Sequence, residues 1–388
     1  MDHHARRNRA VLCVSTGGEA AACGVVRPFG NAADSRYYCR VRIGDENMHL
    51  FQQHAPADMD VAAAQIPVID LGPYFAGEVG ALDVLGAQVR QACEDVGFFY
   101  IANHGVLQDL IDRTFEQSKR FHALPLEEKL KLRLDPYNIG YLAMNASTQG
   151  HSTVHKATKP NQNESFFITH EPNAFDRPIP LRGENMWPEN LPGFREGVLE
   201  YFNTLNALAQ RMLPAFAVAL GMPADHFTPF FTEGAHSTLR MLHYPPTKLK
   251  DNDFGTGPHT DNAFLTILAR MDVPGLRLRL PSGEWVVPPL IPGTYLVNIG
   301  NYVRRMSNDR FLSTPHGVIV EGEQDRYSMA YFHSPSVSNT IEVLPPFIDE
   351  DNPPKYEPVV LADLVTEFWA ANYAHQKDHG KVELKHQY

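Results

Sequence analysis

The sequence predicts an α+β, mainly β fold: a double-stranded β-helix of the jelly-roll, cupin-like kind, with an amino-terminal α/β region and flanking helices. Three observations lead there. Apolar residues recur at helical spacing after residue 66, and the period changes to two residues from about Ser237. Short strand candidates then alternate with turn residues at the spacing of a sandwich or barrel.

The elements follow in order. Residues 1–60 carry seven Arg, no Lys and three of the four cysteines, Cys13, Cys23 and Cys39. With little periodicity, they are expected to lie outside the fold as a disordered or non-native extension, with Met59 a candidate start. Ile66-Pro-Val-Ile-Asp-Leu71 reads as a short strand, and Leu82, Leu85, Val89, Ala92, Cys93 and Val96 as a helix stopped by Gly97. Phe98–Ala102 predicts a buried strand, and Leu107, Leu110, Ile111 and Phe115 a second amphipathic helix. Residues 135–192 are rich in Asn, Pro, Thr and His without a sustained period, and irregular stretches of that length are commonly functional. A long helix is expected from Val198 to Leu220, closed by Gly221 and kinked at Pro214.

Leu276-Arg-Leu-Arg-Leu280 shows the cleanest strand alternation. Further strands are expected at Leu239–His243, Phe264–Leu268, Trp285–Val287, Thr294–Ile299, Gly317–Val320 and Tyr327–Phe332, and a last helix at Leu361–Tyr373. This divides the chain into an extension (1–60), an α/β region with its long loop (61–190), a support helix (191–232), a jelly-roll domain (233–345) and a helical tail (346–388).

Composition narrows the function. The 388 residues hold 34 Lys and Arg against 45 Asp and Glu, a net charge of −11, which argues against nucleic acid as a partner. The longest apolar stretch, Met212–Met222, contains Pro214 and is shorter than the ~20 residues that span a bilayer, so no membrane span is expected. Arg6, Arg7 and Arg9 precede no proper apolar leader, and the cysteines, Cys93 included, form no CxxC pair. A cytoplasmic protein, monomeric or weakly self-associating, is the expectation.

The chemistry concentrates in the strand-rich half. His259-Thr-Asp261 is followed by His316, and two imidazoles with one carboxylate leave open positions on a six-coordinate Fe(II). Residues two apart on a strand share a face, so His259 and Asp261 can chelate one ion together. One HxD triplet is expected by chance in a chain with 18 histidines, so its company matters. Arg326-Tyr-Ser328 supplies it: a guanidinium and a hydroxyl on one strand face, suited to a carboxylate.

Together these motifs resemble the isopenicillin N synthase-like branch of the non-haem Fe(II), 2-oxoglutarate-dependent dioxygenases. The likeness covers most of the chain. It runs through Ile66–Leu71, Gly97-Phe-Phe-Tyr-Ile-Ala-Asn-His-Gly105, Leu239-Arg-Met-Leu-His-Tyr-Pro245, Gly257-Pro-His-Thr-Asp261, Val297-Asn-Ile-Gly300, Ser313-Thr-Pro-His316 and Arg326–Ser328. The resemblance implies His259, Asp261 and His316 as iron ligands. It implies Arg326 and Ser328, helped by Tyr244, as the clamp for 2-oxoglutarate, with O2 as second cosubstrate. A small-molecule substrate is expected, oxidised with release of succinate and CO2, and Asn262, Tyr141 and Phe332 are expected to face it. No side-chain general base is required.

Departures from the family pattern are Leu242, Asn262, Asn301 and Gly317. Phe98 and Phe99 are expected in the core, His104 and His243 in structural roles, Glu164 in a structural hydrogen bond, and His375, His379 and His386 in solvent. Two other readings fit the same residues: an Fe(II) oxidative cyclase that uses no 2-oxoglutarate, and a non-catalytic cupin-like binding protein.

Overall fold

A computed structural model describes residues 39–41, 66–150, 152, 154, 159–171, 179–232, 234–247, 253–320 and 322–373. The first half supplies β1 (Cys39–Val41), β2 (Val68–Asp70), α1 (Gly72–Phe75), α2 (Ala81–Asp95), β3 (Phe98–Ala102), α3 (Gln108–His122), α4 (Leu126–Leu130), β4 (Gly140–Leu142) and β5 (Glu164–Thr169). Then come α5 (Phe194–Ala219), α6 (Thr228–Thr232), β6 (Thr238–Tyr244), β7 (Thr256–His259), β8 (Leu265–Arg270), β9 (Leu276–Arg279) and β10 (Trp285–Val287). β11 (Tyr295–Ile299), α7 (Asn301–Met306), β12 (His316–Val318), β13 (Arg326–His333), β14 (Thr340–Ile341), β15 (Val359–Val360) and α8 (Leu361–Asn372) complete the chain.

Two sheets make the jelly roll. The larger has eight strands in the order β2-β3-β11-β8-β13-β6-β5-β4, and the smaller has five, β1-β10-β9-β12-β7. Period-two alternation gives each strand of the large sheet two jobs. Leu242, Tyr244, Leu296 and Ala330 turn inward and join Leu276, Leu278, Val286 and Val318 of the small sheet in one core. Met241, Val297, Met329 and Tyr331 turn outward, where α2, α3 and α5 cover them with Val89, Phe115, Phe202 and Phe216. Truncating Phe216 to Ala in this layer would cost about 3–5 kcal/mol.

Gly97 ends α2 at φ +72°, and a Cβ there would lie 1.9 Å from the Leu312 carbonyl oxygen. Only glycine meets both demands. α5 runs from Phe194 to Ala219 without interruption at Pro214.

Three expectations need correction. The 135–192 stretch is not irregular throughout, because β4 and β5 lie in it and extend the large sheet beside β6. All six residues of β5 are buried, so no polar and apolar alternation marked it. β7, Thr256-Gly-Pro-His259, was hidden by its Gly and Pro. Within residues 1–60, Cys39–Val41 pairs with Trp285–Val287 at the edge of the small sheet, a backbone association that needs no apolar pattern. Met59, His375, His379 and His386 lie outside the described residues.

Candidate metal centre and its cavities

β7 and β12 are antiparallel neighbours in the small sheet, and their register sets His316 directly opposite His259. The imidazole centroids are 4.4 Å apart. Asp261 follows β7 by two residues, so the chain has left the ladder and its carboxylate turns back toward both rings. Oδ1 of Asp261 stands 3.5 Å from Nε2 of His259 and 3.5 Å from Nε2 of His316.

The unused ends of these side chains are all held. His259 Nδ1 contacts the Gly257 carbonyl at 2.9 Å and His316 Nδ1 the Thr314 carbonyl at 3.1 Å. A carbonyl only accepts, so Nδ1 carries the proton and Nε2 presents its lone pair to the centre. Asp261 Oδ2 accepts from Thr266 Oγ1 and Asn298 Nδ2, each at 2.7 Å, which leaves Oδ1 to the same centre. Thr266 is on β8 and Asn298 on β11, so the large sheet orients a ligand that projects from the small one.

The three donor atoms lie within 4.8 Å of one another, the sole such His, Cys, Asp and Glu cluster among the described residues. Burial pushes His259 below its ordinary pKa, and the nearby His316 adds to that. Burial acts the same way on His316, but Asp261 outweighs it and the net shift is upward. For Asp261 burial works upward, yet His316 and His259 hold the carboxyl well below the usual range. Two imidazole nitrogens and a carboxylate oxygen converging on one point, each fixed from behind, fit a divalent metal ion.

An inner cavity extends from this cluster between the sheets. His259, Asp261, His316 and Phe98 border one end, and Tyr244, Arg326 and Ser328 border the other. Arg326 is 1% exposed, and its Nη1 lies 3.5 Å from Ser328 Oγ. Its Nε donates to the Val273 carbonyl at 3.3 Å, and the guanidinium sits 4.9 Å from the Tyr244 ring centroid. Burial lowers its pKa from the ordinary arginine value. No carboxylate pairs with it among the described residues. A second guanidinium, the half-buried Arg270, lies outside the cavity lining and donates to the Tyr100 hydroxyl at 3.5 Å and to the Pro289 carbonyl. This end of the cavity is therefore cationic and built for an anion.

An outer cavity opens on the other side of the donor cluster. Arg240, His259, Asp261 and Phe332 border both spaces. Its walls include Asn262 and, from α8, Phe368 and Trp369. Asn301 donates to Asn262 Oδ1 at 2.8 Å and to Thr260 Oγ1 at 3.1 Å, so two departures from the family pattern brace each other.

The structure thus brings together eight of the nine sequence-predicted site residues. Tyr141 is the exception. It lines neither cavity; it is buried on β4, behind the large sheet, and its hydroxyl donates to Glu164. Glu164 also accepts from Lys129 Nζ at 2.7 Å and contacts His243 Nδ1 at 2.8 Å, while His243 Nε2 reaches Asp325 at 2.6 Å. Tyr141 follows from the correction above, since only a strand at 140–142 turns the ring this way. Phe98, expected in the core, is buried and also borders the inner cavity, edge-on to His316 with centroids 5.4 Å apart. Asn298, Thr266, Arg240 and Trp369 were given no role from sequence; Asn298 and Arg240 stand within motifs that carry the resemblance, whereas the signal was strand alternation alone for Thr266 and helical spacing for Trp369.

Comparison with known proteins agrees with this geometry. Residues 66–190 match the family described as non-haem dioxygenase in morphine synthesis N-terminal, and residues 235–335 the 2OG-Fe(II) oxygenase superfamily. A 2-oxoglutarate-Fe(II) type oxidoreductase, hxnY of Emericella nidulans, is 34% identical over 330 residues, covering 81% of this chain and 92% of its own. Among solved structures, a full-length Neurospora crassa protein in complex with alpha-KG and thymine superposes with a TM-score of 0.69 at 28% identity, over 79% of this chain and 96% of that one. JOX2 in complex with 2OG, Fe and JA does so with a TM-score of 0.64 at 29% identity, over 77% and 83%. With both halves of the fold matched and the relatedness extending over most of its length, this chain belongs to the 2-oxoglutarate-dependent, non-haem Fe(II) oxygenases.

Proposed function

We propose that His259, Asp261 and His316 hold the Fe(II), that Arg326, Ser328 and Tyr244 hold the distal carboxylate of 2-oxoglutarate, and that the chain hydroxylates a small molecule in the outer cavity. The observation that carries this is Arg326: a buried cation with no carboxylate partner among the described residues, across a cavity from three converging metal donors. When bound, Fe(II) supplies the oxidation of a C–H bond coupled to conversion of 2-oxoglutarate and O2 to succinate and CO2.

The chain's own part is positional. Gly257 and Thr314 fix the histidine tautomers, Thr266 and Asn298 fix the Asp261 carboxylate, and the Arg326 fork sets the depth of the cosubstrate. The apolar lining of Leu242, Leu276 and Val318 keeps water from the reacting centre. Asn262 and Phe332 face the substrate from the outer cavity. The relatives support a small-molecule substrate, since the Neurospora crassa protein was solved with thymine and JOX2 with JA. The Arg326-Tyr-Ser328 clamp and the order of the motifs favour the isopenicillin N synthase-like branch, and the unpaired cysteine spacing favours the cytoplasm.

The test is a screen of small molecules scored by succinate. Oxidation of substrate with one succinate formed per turnover, lost in His316→Ala, is the expected result. Substrate oxidation without succinate would overturn it and favour the cyclase type, and absence of any 2-oxoglutarate turnover would favour a binding protein.

A further inference from the structure

We propose that the outer cavity takes a small planar carboxylic acid, with its carboxylate held by Arg240. This rests on the reading above, in which the outer cavity receives the substrate. Arg240 is on β6, two residues before Leu242 and on the same inward face, and it borders both cavities.

Its guanidinium is held along one edge. Nε donates to Ser165 Oγ at 3.0 Å and Nη2 to Asn163 Oδ1 at 3.2 Å, both neutral acceptors on or beside β5. The Phe167 ring lies beneath it, 4.9 Å from centroid to guanidinium carbon. A guanidinium has five N–H donors. These contacts use the edge formed by Nε and Nη2, and among the described residues nothing accepts from Nη1. The end formed by Nη1 and the second hydrogen of Nη2, which can also engage a carboxylate with two parallel hydrogen bonds, is therefore left to a ligand.

The surrounding charge points the same way. Asp261 is the sole acid among the described residues that line the outer cavity, and its two oxygens are committed to the imidazole pair and to Thr266 and Asn298. His236 is also in the lining, but burial lowers its pKa to about 4, so it is neutral near pH 7. A half-buried space with one fixed cation and no uncommitted anion favours an anionic guest and disfavours an amine. Its walls select shape: Phe332, Tyr302, Phe368 and Trp369 are flat faces against which a planar ring stacks.

The experiment is calorimetric titration, without oxygen, of the protein loaded with Fe(II) and 2-oxoglutarate. The probes are benzoate, phenylacetate and indole-3-acetate, each against its primary amide. At least one acid is expected to bind about tenfold tighter than its amide, the difference between a charged and a neutral hydrogen bond. Arg240→Gln is expected to erase that preference and leave 2-oxoglutarate affinity within about twofold, with Arg240→Lys between the two. The proposal is overturned if no acid binds, if acids bind no tighter than amides, or if Arg240→Gln weakens 2-oxoglutarate and not the acid. The acid and amide comparison on the unaltered chain decides the matter even if a variant fails to fold. Failure of 2-oxoglutarate itself to bind would instead bring down the reading of the inner cavity, and this proposal with it.

Discussion

Replacing Lys129 by Met tests whether the charge network behind the large sheet holds β5 and β6 in place. The Lys129 and Glu164 side chains are 8% and 7% exposed, and Nζ sits 2.7 Å from Oε2. Removing one partner of a buried pair costs about 3–5 kcal/mol, because the other charge remains out of water. Glu164 keeps Tyr141 and His243, so the lower end applies, about 3 kcal/mol. For a chain of this size, with an unfolding entropy of about 0.7–0.8 kcal/mol/K, that lowers the melting temperature by roughly 4 °C.

The pH dependence sharpens the test. Burial alone would raise the Glu164 carboxyl, but the bonds from His243, Lys129 and Tyr141 outweigh it and bring the pKa from 4.5 down to about 2. A folded value below the unfolded one means that the carboxylate stabilises the fold above about pH 4.5 and loses that contribution as pH falls toward 2. Without Lys129 the folded value rises, and protonation relieves the unpaired charge at a higher pH. The stability gap between wild type and Lys129→Met is thus widest near neutrality and narrows as the pH approaches the ordinary carboxyl range. Calorimetric unfolding across that range is the assay. A loss under about 1 kcal/mol, or a gap that does not narrow, would refute the reasoning.

Other outcomes follow from the site. Arg326→Lys keeps the charge and loses the fork, so the dissociation constant for 2-oxoglutarate, measured by titration, should rise about tenfold or more. Asn298→Ala takes one of two donors from Asp261 Oδ2 and should weaken Fe(II) binding about 10–100-fold in a competition assay with a chelator. Gly300→Ala would place a Cβ 2.1 Å from the Ala263 carbonyl oxygen, in the turn after Asp261, and should lower both melting temperature and iron content. A chain starting at Met59 loses the three-residue β1 and should keep iron-dependent turnover, with a melting temperature lower by a few degrees; loss of turnover would show that residues 1–58 complete the site.

The sequence was legible where side chains alternate or where chemistry is rare. Leu276-Arg-Leu-Arg-Leu280 announced its strand, and His259, Asp261 and His316 stood out because few residue types bind metal. Glu164–Thr169 was silent: a strand covered on both faces has no reason to alternate, and its flanking residues are polar. Tyr141 was misplaced for the same cause, since its orientation depends on a strand that the pattern does not mark. Thr266 and Asn298 show a different limit. They meet Asp261 only because β8 and β11 are neighbours, a matter of topology that no local window contains. Arg240 looked like any polar strand position until the cavity on each side of it was known.

The division of labour between the two sheets has a mechanical consequence. His259 and His316 belong to the five-stranded sheet, whereas Arg326 and Ser328 belong to the eight-stranded one. In the proposed assignment, a metal ion on the first pair and a dicarboxylate stretched to the second would act as a cross-brace between two otherwise separate walls. The brace adds to stability as its occupancy grows, by about 2.7 kcal/mol at a hundredfold excess over the dissociation constant. Amide hydrogens of β7 and β12 should then exchange more slowly when both are bound than with either alone, so that opening of the barrel is coupled to cosubstrate supply.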